Sequence, residues 1–108
     1  MITGKFMRDG FKEGLHGTFK VTPITMTDEE ATLLPESALQ SRKTIGIYNC
    51  GNIDAILYVG DQSVSTTETT TSGVPVYPNA YFAIDVGRAD VYGITTTSGL
   101  AIKVLEIS

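Results

Sequence analysis

The sequence is short of the side chains from which most catalytic and metal sites are built. It holds one histidine, His16, one cysteine, Cys50, and no tryptophan. Nucleophilic catalysis by a hydroxyl group normally needs a histidine as its base, and a structural zinc site needs four cysteine or histidine ligands. We therefore expect no catalytic residue and no zinc site, and a single cysteine leaves no internal disulfide.

Other cofactor signatures are missing as well. Neither GxGxxG nor GxxxxGK occurs, and no EF-hand pattern is present. The acidic triplet at 28–30 and the carboxylates Asp85 and Asp90 are typical of solvated turns, because both groups lie next to turn-forming residues. We expect neither a metal ion nor a cofactor, and the sequence favours a protein that is not an enzyme.

Charge and hydropathy argue against two classes of partner. The eight basic residues are scattered and the net charge is −4, whereas a groove that follows nucleic-acid phosphates needs clustered basic charge. No apolar run approaches the roughly 18 residues of a membrane helix. We therefore expect neither a nucleic-acid nor a membrane partner. The N-terminus also lacks the apolar stretch of a secretory signal, so we expect the chain to be made in a cytoplasm.

The residues that are abundant predict an all-β domain. At 108 residues, with 42% apolar side chains, the chain is expected to form one core. β-Branched residues, frequent glycine and proline, and the absence of a 3.6-residue period favour short strands. We predict strands at 16–25, 44–49, 55–59, 74–77, 81–86, 90–95 and 100–107. Seven strands at this spacing are typical of a β-sandwich or jelly roll.

The last predicted strand has apolar residues on both faces. Leu100, Ile102, Val104 and Glu106 alternate with Ala101, Lys103, Leu105 and Ile107. A strand with only one face in the core does not account for Leu105 and Ile107. We expect these two side chains to be covered by another segment or by a neighbouring subunit.

Two connecting segments carry a specific prediction. The stretch 63–78, SVSTTETTTSGVPVYP, lies between the predicted strand that ends at Val59 and the one that begins at Val74, so a domain linker is not expected. We expect an exposed, hydroxyl-rich rim, either as a loop or with part of the threonine run extending a hairpin. Residues 27–39 resemble a helix start, but Pro35 stops any helix within about two turns. They predict a single helical turn or an irregular crossover.

The first 15 residues differ from the remainder of the chain. Phe6, Met7, Phe11 and Leu15 are apolar, yet Gly4, Gly10 and Gly14 interrupt any helix at a cost of roughly 1 kcal/mol each. We interpret residues 1–15 as an extended arm that packs along its own domain or inserts into a partner, and residues 16–108 as a single β-sandwich. Phe6, Met7, Phe11 and Leu15 are the predicted partner-binding residues.

The five tyrosines admit two interpretations. Tyrosine in a strand is commonly structural, with one end of its ring exposed to water. An aromatic ring can also stack on the apolar side of a sugar. Tyr48, Tyr58, Tyr77, Tyr81 and Tyr92 are therefore candidates for a carbohydrate platform as well as for structural roles.

Residues 34–108 resemble a β-sandwich module of virion proteins from tailed bacteriophages. The similar stretches are LP and SAL at 34–39, RK followed by IGIYN at 42–49, LYVGDQSV at 57–64, GVPVYP at 73–78, VYGI at 91–94 and VLE at 104–106. The resemblance implies a jelly-roll-like antiparallel β-sandwich with an extended N-terminal arm. It also implies a structural protein that assembles in the host cytoplasm, as a homotrimer, and decorates or cements the head or forms the base of a short fibre.

The partners implied by the resemblance are further copies of the chain and the major capsid protein or other virion proteins. The arm would grip the capsid or a neighbouring subunit, and the threonine-rich loop would face outward. Related modules also occur in tail and baseplate components. The alternative is therefore a tail or baseplate module for host recognition that binds carbohydrate through the tyrosines and the threonine-rich loop.

Overall fold

The computed structural model describes residues 19–66 and 73–108, and these ranges form eight β-strands and no helix. The strands are β1 (Phe19–Thr25), β2 (Thr32–Leu33), β3 (Thr44–Asn49), β4 (Leu57–Gly60), β5 (Val74–Val76), β6 (Tyr81–Asp85), β7 (Tyr92–Thr95) and β8 (Ala101–Ile107). The all-β prediction is confirmed. The predicted arm, with Phe6, Met7, Phe11 and Leu15, and most of the threonine run lie outside the described residues.

The strands form two antiparallel four-stranded sheets. Sheet A has the order β1-β8-β3-β6, and sheet B has the order β2-β7-β4-β5. Each strand of the first half pairs with its counterpart in the second half, so the chain resembles one long hairpin that is folded over on itself. This is the strand order of a jelly roll, and every connection except β4–β5 crosses between the sheets.

The segment between β1 and β3 is the irregular crossover of the two predicted alternatives. Only Thr32 and Leu33 form a strand there, opposite Gly93 and Tyr92 of β7. Leu34 extends the pairing by one bond, from its amide to the carbonyl oxygen of Val91 at 2.8 Å. The two-residue strand β2 was not predicted, because two half-buried residues carry no periodic signal.

The core lies between the sheets and is centred on β3 and β8. Ile45, Ile47, Ile102 and Val104 are at most 1% exposed and share one cluster with Leu57 of β4. Burial of each such side chain stabilises the fold by about 1.5–3 kcal/mol. In both strands the core residues occupy alternate positions, because successive side chains of a strand point to opposite faces.

One ion pair is buried at the end of this core. Arg42, just before β3, donates from Nη1 to Oε2 of Glu106 on β8 at 3.1 Å, and both side chains are at most 1% exposed. Arg42 also donates from Nε to the carbonyl oxygen of Gly87 and from Nη2 to that of Ala89. The same carboxylate oxygen accepts the Leu39 amide at 2.9 Å. Through these hydrogen bonds, the ion pair links the β2–β3 connection and the β6–β7 connection to β8.

We predict that Glu106→Ala destabilises the fold by about 3–5 kcal/mol, because it leaves the Arg42 guanidinium buried without its counter-charge. The measurement is urea unfolding at neutral pH. The matched variant is Arg42→Met combined with Glu106→Leu, which should lose less stability than the two single changes added together. A loss below about 1 kcal/mol for Glu106→Ala would show that the pair does not hold these segments in place.

Candidate protein-binding surface

The outer faces of the two sheets are covered to different extents. On sheet B, Tyr58, Val64 and Ile94 form a second buried cluster, with Val64 supplied by the β4–β5 connection. No described strand lies outside sheet A, which has four strands and a single sheet packed against it. The described strands therefore leave the outer face of sheet A open.

Four side chains form the centre of this open surface. Strand β1 contributes Phe19 and Val21, which are 67% and 49% exposed. They stand opposite Ile107 and Leu105 of β8 in the antiparallel register, so all four side chains share one face. We call Phe19, Val21, Leu105 and Ile107 the apolar patch.

The apolar patch explains the excess apolar residues of the last strand. Leu105 and Ile107 are half-buried, and they lie on the side of β8 opposite to the core residues Ile102 and Val104. The expectation that a further segment or subunit covers them stays a prediction. A contiguous apolar surface of this kind usually marks an interaction site.

Tyr81 extends the surface across the sheet. Gly46 of β3 lies beside Leu105, and a Cβ atom at Gly46 would come within 2.8 Å of Cζ and 3.1 Å of Cε1 of Tyr81. The tyrosine ring therefore lies along the sheet over a position with no side chain. Tyr81 is still 56% exposed, so the aromatic ring joins the apolar patch as part of one surface.

Polar side chains border this surface. Thr44 donates its hydroxyl hydrogen to Oδ1 of Asp85 at 2.7 Å, beside Ile107 in the register. Lys103, two residues before Leu105 on the same face of β8, is exposed. Protein interfaces have this composition, an apolar and aromatic centre within a polar border.

The structure brings together three of the five candidate tyrosines. Tyr48 pairs with Tyr81 across β3 and β6, and its hydroxyl donates to Oδ1 of Asn79 at 3.4 Å. Tyr77, 55% exposed, lies at the start of the turn that leads to Tyr81, closed by the Ala80 amide on the Tyr77 carbonyl oxygen. We call Tyr48, Tyr77 and Tyr81 the tyrosine group. Tyr58 and Tyr92 belong instead to the cluster on sheet B.

Among the carboxylates considered as acidic sites, Asp28 and Asp85 each accept a hydrogen bond from a side-chain hydroxyl. Oδ1 of Asp28 accepts a hydrogen bond from the Ser98 hydroxyl at 2.7 Å. Hydrogen bonds from the Ser63 hydroxyl and amide lower the pKa of the exposed Asp61 carboxyl below its usual value. Within residues 19–66 and 73–108, no three cysteine, histidine or acidic side chains are grouped so as to hold a metal ion. His16 lies outside the described residues, and Cys50 is half-buried.

Comparison of the sequence with protein-family models finds no match, and neither does comparison with curated proteins. In the part of the chain that the structure describes, no helix has the length and apolarity that a membrane crossing requires. Function is therefore inferred from the surface of sheet A and from the resemblance of residues 34–108 to phage virion modules.

We predict that the effect of Gly46→Ala on stability changes sign with the residue at position 81. In the natural chain the new methyl group displaces the Tyr81 ring, and we expect a loss of about 1–3 kcal/mol. In a Tyr81→Ala background the contact is gone, and alanine should stabilise the strand by about 0.5–1 kcal/mol relative to glycine. Urea unfolding of the four proteins measures both values. An equal loss in the two backgrounds would show that Tyr81 does not rest on Gly46.

Proposed function

We propose that this chain is a non-enzymatic structural protein of a tailed-bacteriophage virion, which decorates or cements the head by bridging capsid subunits. One observation carries the proposal: a folded jelly roll presents an apolar patch with exposed Phe19 and Val21 on the outside of one sheet. A protein that is attached to a larger shell needs a surface of this kind, whereas the core of the fold is already complete without it. The resemblance of residues 34–108 to virion modules supplies the identity of the shell.

The size of the patch suggests how attachment gains strength. A specific protein interface buries roughly 1,200–2,000 Å² in total, more than four side chains provide. We propose that the segment before β1, with Phe6, Met7, Phe11 and Leu15, adds contact area. We also propose that the chain acts as a homotrimer, because three linked copies on one repeating shell convert weak contacts into strong attachment through avidity.

We predict that Val21→Glu lowers binding to the shell by at least about tenfold, because a charge would be desolvated at the centre of the interface. The measurement is cosedimentation with shells assembled from the major capsid protein of the same phage without this chain. Val74→Glu is the matched control, since Val74 is 45% exposed and Val21 is 49% exposed, but Val74 lies on β5 of sheet B. Shell binding that both variants retain at the natural level would refute the proposed docking surface.

A second candidate function is carbohydrate-mediated host recognition from the tail or baseplate. It is favoured by the tyrosine group, where Tyr77 and Tyr81 are each more than half exposed. The side-chain amide of Asn79, in the turn between them, accepts a hydrogen bond from the Tyr48 hydroxyl. An exposed aromatic ring with polar groups next to it suits stacking and hydrogen bonding to a sugar.

For this second function, we predict saturable binding to purified cell-wall polysaccharide of the host. Tyr77→Ala and Tyr81→Ala should each lower that binding by about tenfold or more, because each removes an aromatic contact. Val21→Glu should leave it unchanged. Two outcomes would count against the tyrosine group as a sugar site. One is the absence of polysaccharide binding, and the other is binding that Val21→Glu abolishes.

A further inference from the structure

Each sheet ends in two strands that have a described neighbour on one side only. These edge strands are β1 and β6 in sheet A and β2 and β5 in sheet B. An edge strand presents unpaired backbone N–H and C=O groups, and proteins commonly prevent unwanted pairing there with proline, charged side chains or a very short strand. The four edges of this protein differ in whether they carry such protection.

Proline protects the edge of β1, and short length protects the edge of β2. Backbone groups alternate in direction along a strand, so the register shows which residues face the free edge. Met26 donates its amide to the Leu100 carbonyl oxygen at 2.8 Å, in continuation of the β1–β8 register. The even-numbered residues of β1 therefore face β8, and Pro23 lies at the free edge, where it offers no N–H group. β2 has only two residues.

The edge of β5 carries the same protection as that of β1. The Thr96 amide donates to the Ile56 carbonyl oxygen at 3.0 Å, so the even-numbered residues of β4 face β7 and the odd-numbered ones face β5. Tyr58 of β4 faces β7, and its partner in β5 is Pro75. Pro75 therefore turns its backbone toward the free edge of sheet B, which again lacks a donor at that position.

The edge of β6 has neither form of protection. β6 has five residues, no proline and one charged side chain, that of Asp85 at its end. The Asn49 amide donates to the Ala80 carbonyl oxygen at 3.1 Å, in continuation of the β3–β6 register, so the even-numbered residues face β3. Tyr81, Ala83 and Asp85 consequently direct their amide and carbonyl groups to the free edge. No strand in the described part of the chain pairs with them.

An apolar side chain is exposed along the same edge. Ile84 stands opposite Ile45, which is fully buried, so both side chains lie on the inner face of sheet A. Ile84 is nevertheless 44% exposed, so the described part of sheet B leaves it uncovered. Phe82, opposite Ile47, is half-buried against the core. Unpaired backbone groups and an uncovered apolar side chain thus coincide at β6, and a further strand at this edge would cover both.

We propose that β6 pairs antiparallel with β6 of a second copy of the chain, around a two-fold axis beside Ala83. In this register Ala83 and the partner's Ala83 form a hydrogen-bonded pair, and Tyr81 stands opposite the partner's Asp85. The three outward-facing residues of each copy then have partners for their backbone groups. Two four-stranded sheets become one continuous sheet of eight strands.

The side chains of β6 suit this register and disfavour the parallel alternative. On the inner face, Ile84 stands opposite the partner's Phe82 at a non-hydrogen-bonded position, where side chains approach most closely. The one charged residue, Asp85, lies about 13 Å along the strand from the partner's Asp85. Parallel pairing in register would instead place the two carboxylates side by side. β6 is therefore complementary to itself, which favours a second copy as its partner.

The β6 contact is independent of attachment to a shell, because it lies at the opposite edge of sheet A from Phe19 and Val21. Two paired five-residue strands bury less than the roughly 1,200 Å² of a stable interface, so we expect a weak dimer in dilute solution. On a repeating shell, the same two-fold contact would join neighbouring copies of the proposed homotrimer.

Disulfide trapping tests the two-fold register directly. In a Cys50→Ser chain, Ala83→Cys places one cysteine in each copy at a hydrogen-bonded pair, where Cα atoms about 5.5 Å apart allow a disulfide. Val74→Cys is the matched control, because Val74 is also exposed on an edge strand but lies in sheet B. At equal protein concentration, we expect disulfide-linked dimers of the Ala83→Cys chain to form at least about tenfold faster than those of the control. Equal rates, or no dimer, would overturn the proposal.

Sedimentation velocity of proteins without added cysteines tests the backbone pairing. Ala83→Pro removes an outward amide of the kind that Pro23 and Pro75 already lack, so the sandwich should still fold while self-association weakens at least about tenfold. Ala83→Lys is the second variant, because it keeps the amide and sets two like charges opposite each other at the two-fold axis. It should weaken self-association to a similar extent.

Two results of the sedimentation experiment would overturn the proposal. One is self-association that both variants retain at the natural level. The other is a natural chain that shows no self-association up to millimolar concentration, which would assign the β6 edge to a strand of a different protein. Neither this experiment nor disulfide trapping uses capsid shells, so failure of the β6 contact is distinct from failure of the proposed function.

Discussion

The antiparallel pairing of β8 with both β1 and β3 is the constraint on which the described structure depends. β8 is the last strand in the chain and lies second in sheet A, so the sheet is complete only when residues 101–107 have inserted between strands from the first half. Its two faces then serve different purposes. Ile102, Val104 and Glu106 enter the core and the buried ion pair, while Leu105 and Ile107 turn outward. Such non-local pairing implies slow folding, because distant segments must meet before their contacts stabilise the sheet.

The apolar patch is a direct consequence of that pairing. The register brings Phe19 and Val21 beside Ile107 and Leu105, although more than 80 positions separate them in the chain. Gly46 leaves room in the next strand for the Tyr81 ring, so the aromatic group lies on the sheet instead of projecting from it. The outer face of sheet B has its own cover, and the contrast between the two faces points to attachment through sheet A. Tyr48 and Tyr81 lie on the same face of sheet A as Leu105, so the two proposed functions share part of one surface.

Local patterns in the sequence predict the strands better than they predict the surface. The bounds of β3 coincide with the predicted 44–49, because its residues alternate cleanly and turn residues follow them. β2 escapes prediction, since its two residues are strand only through pairing with β7. Alternation placed Glu106 inward and Leu105 outward, but it offered no way to find Arg42 as the partner of Glu106. Phe19, Val21 and the Gly46–Tyr81 contact likewise depend on cross-strand register, which short-range patterns do not specify.

The central claim is that the outer face of sheet A attaches this chain to a virion shell. An electron cryomicroscopy map of decorated shells at a resolution that separates the two sheets tests it most directly. The account predicts density for the jelly roll on the head, with β1 and β8 toward the shell and the cluster of Tyr58, Val64 and Ile94 on sheet B facing away from it. Density that places sheet B against the shell, or that places the chain only on the tail, would contradict it.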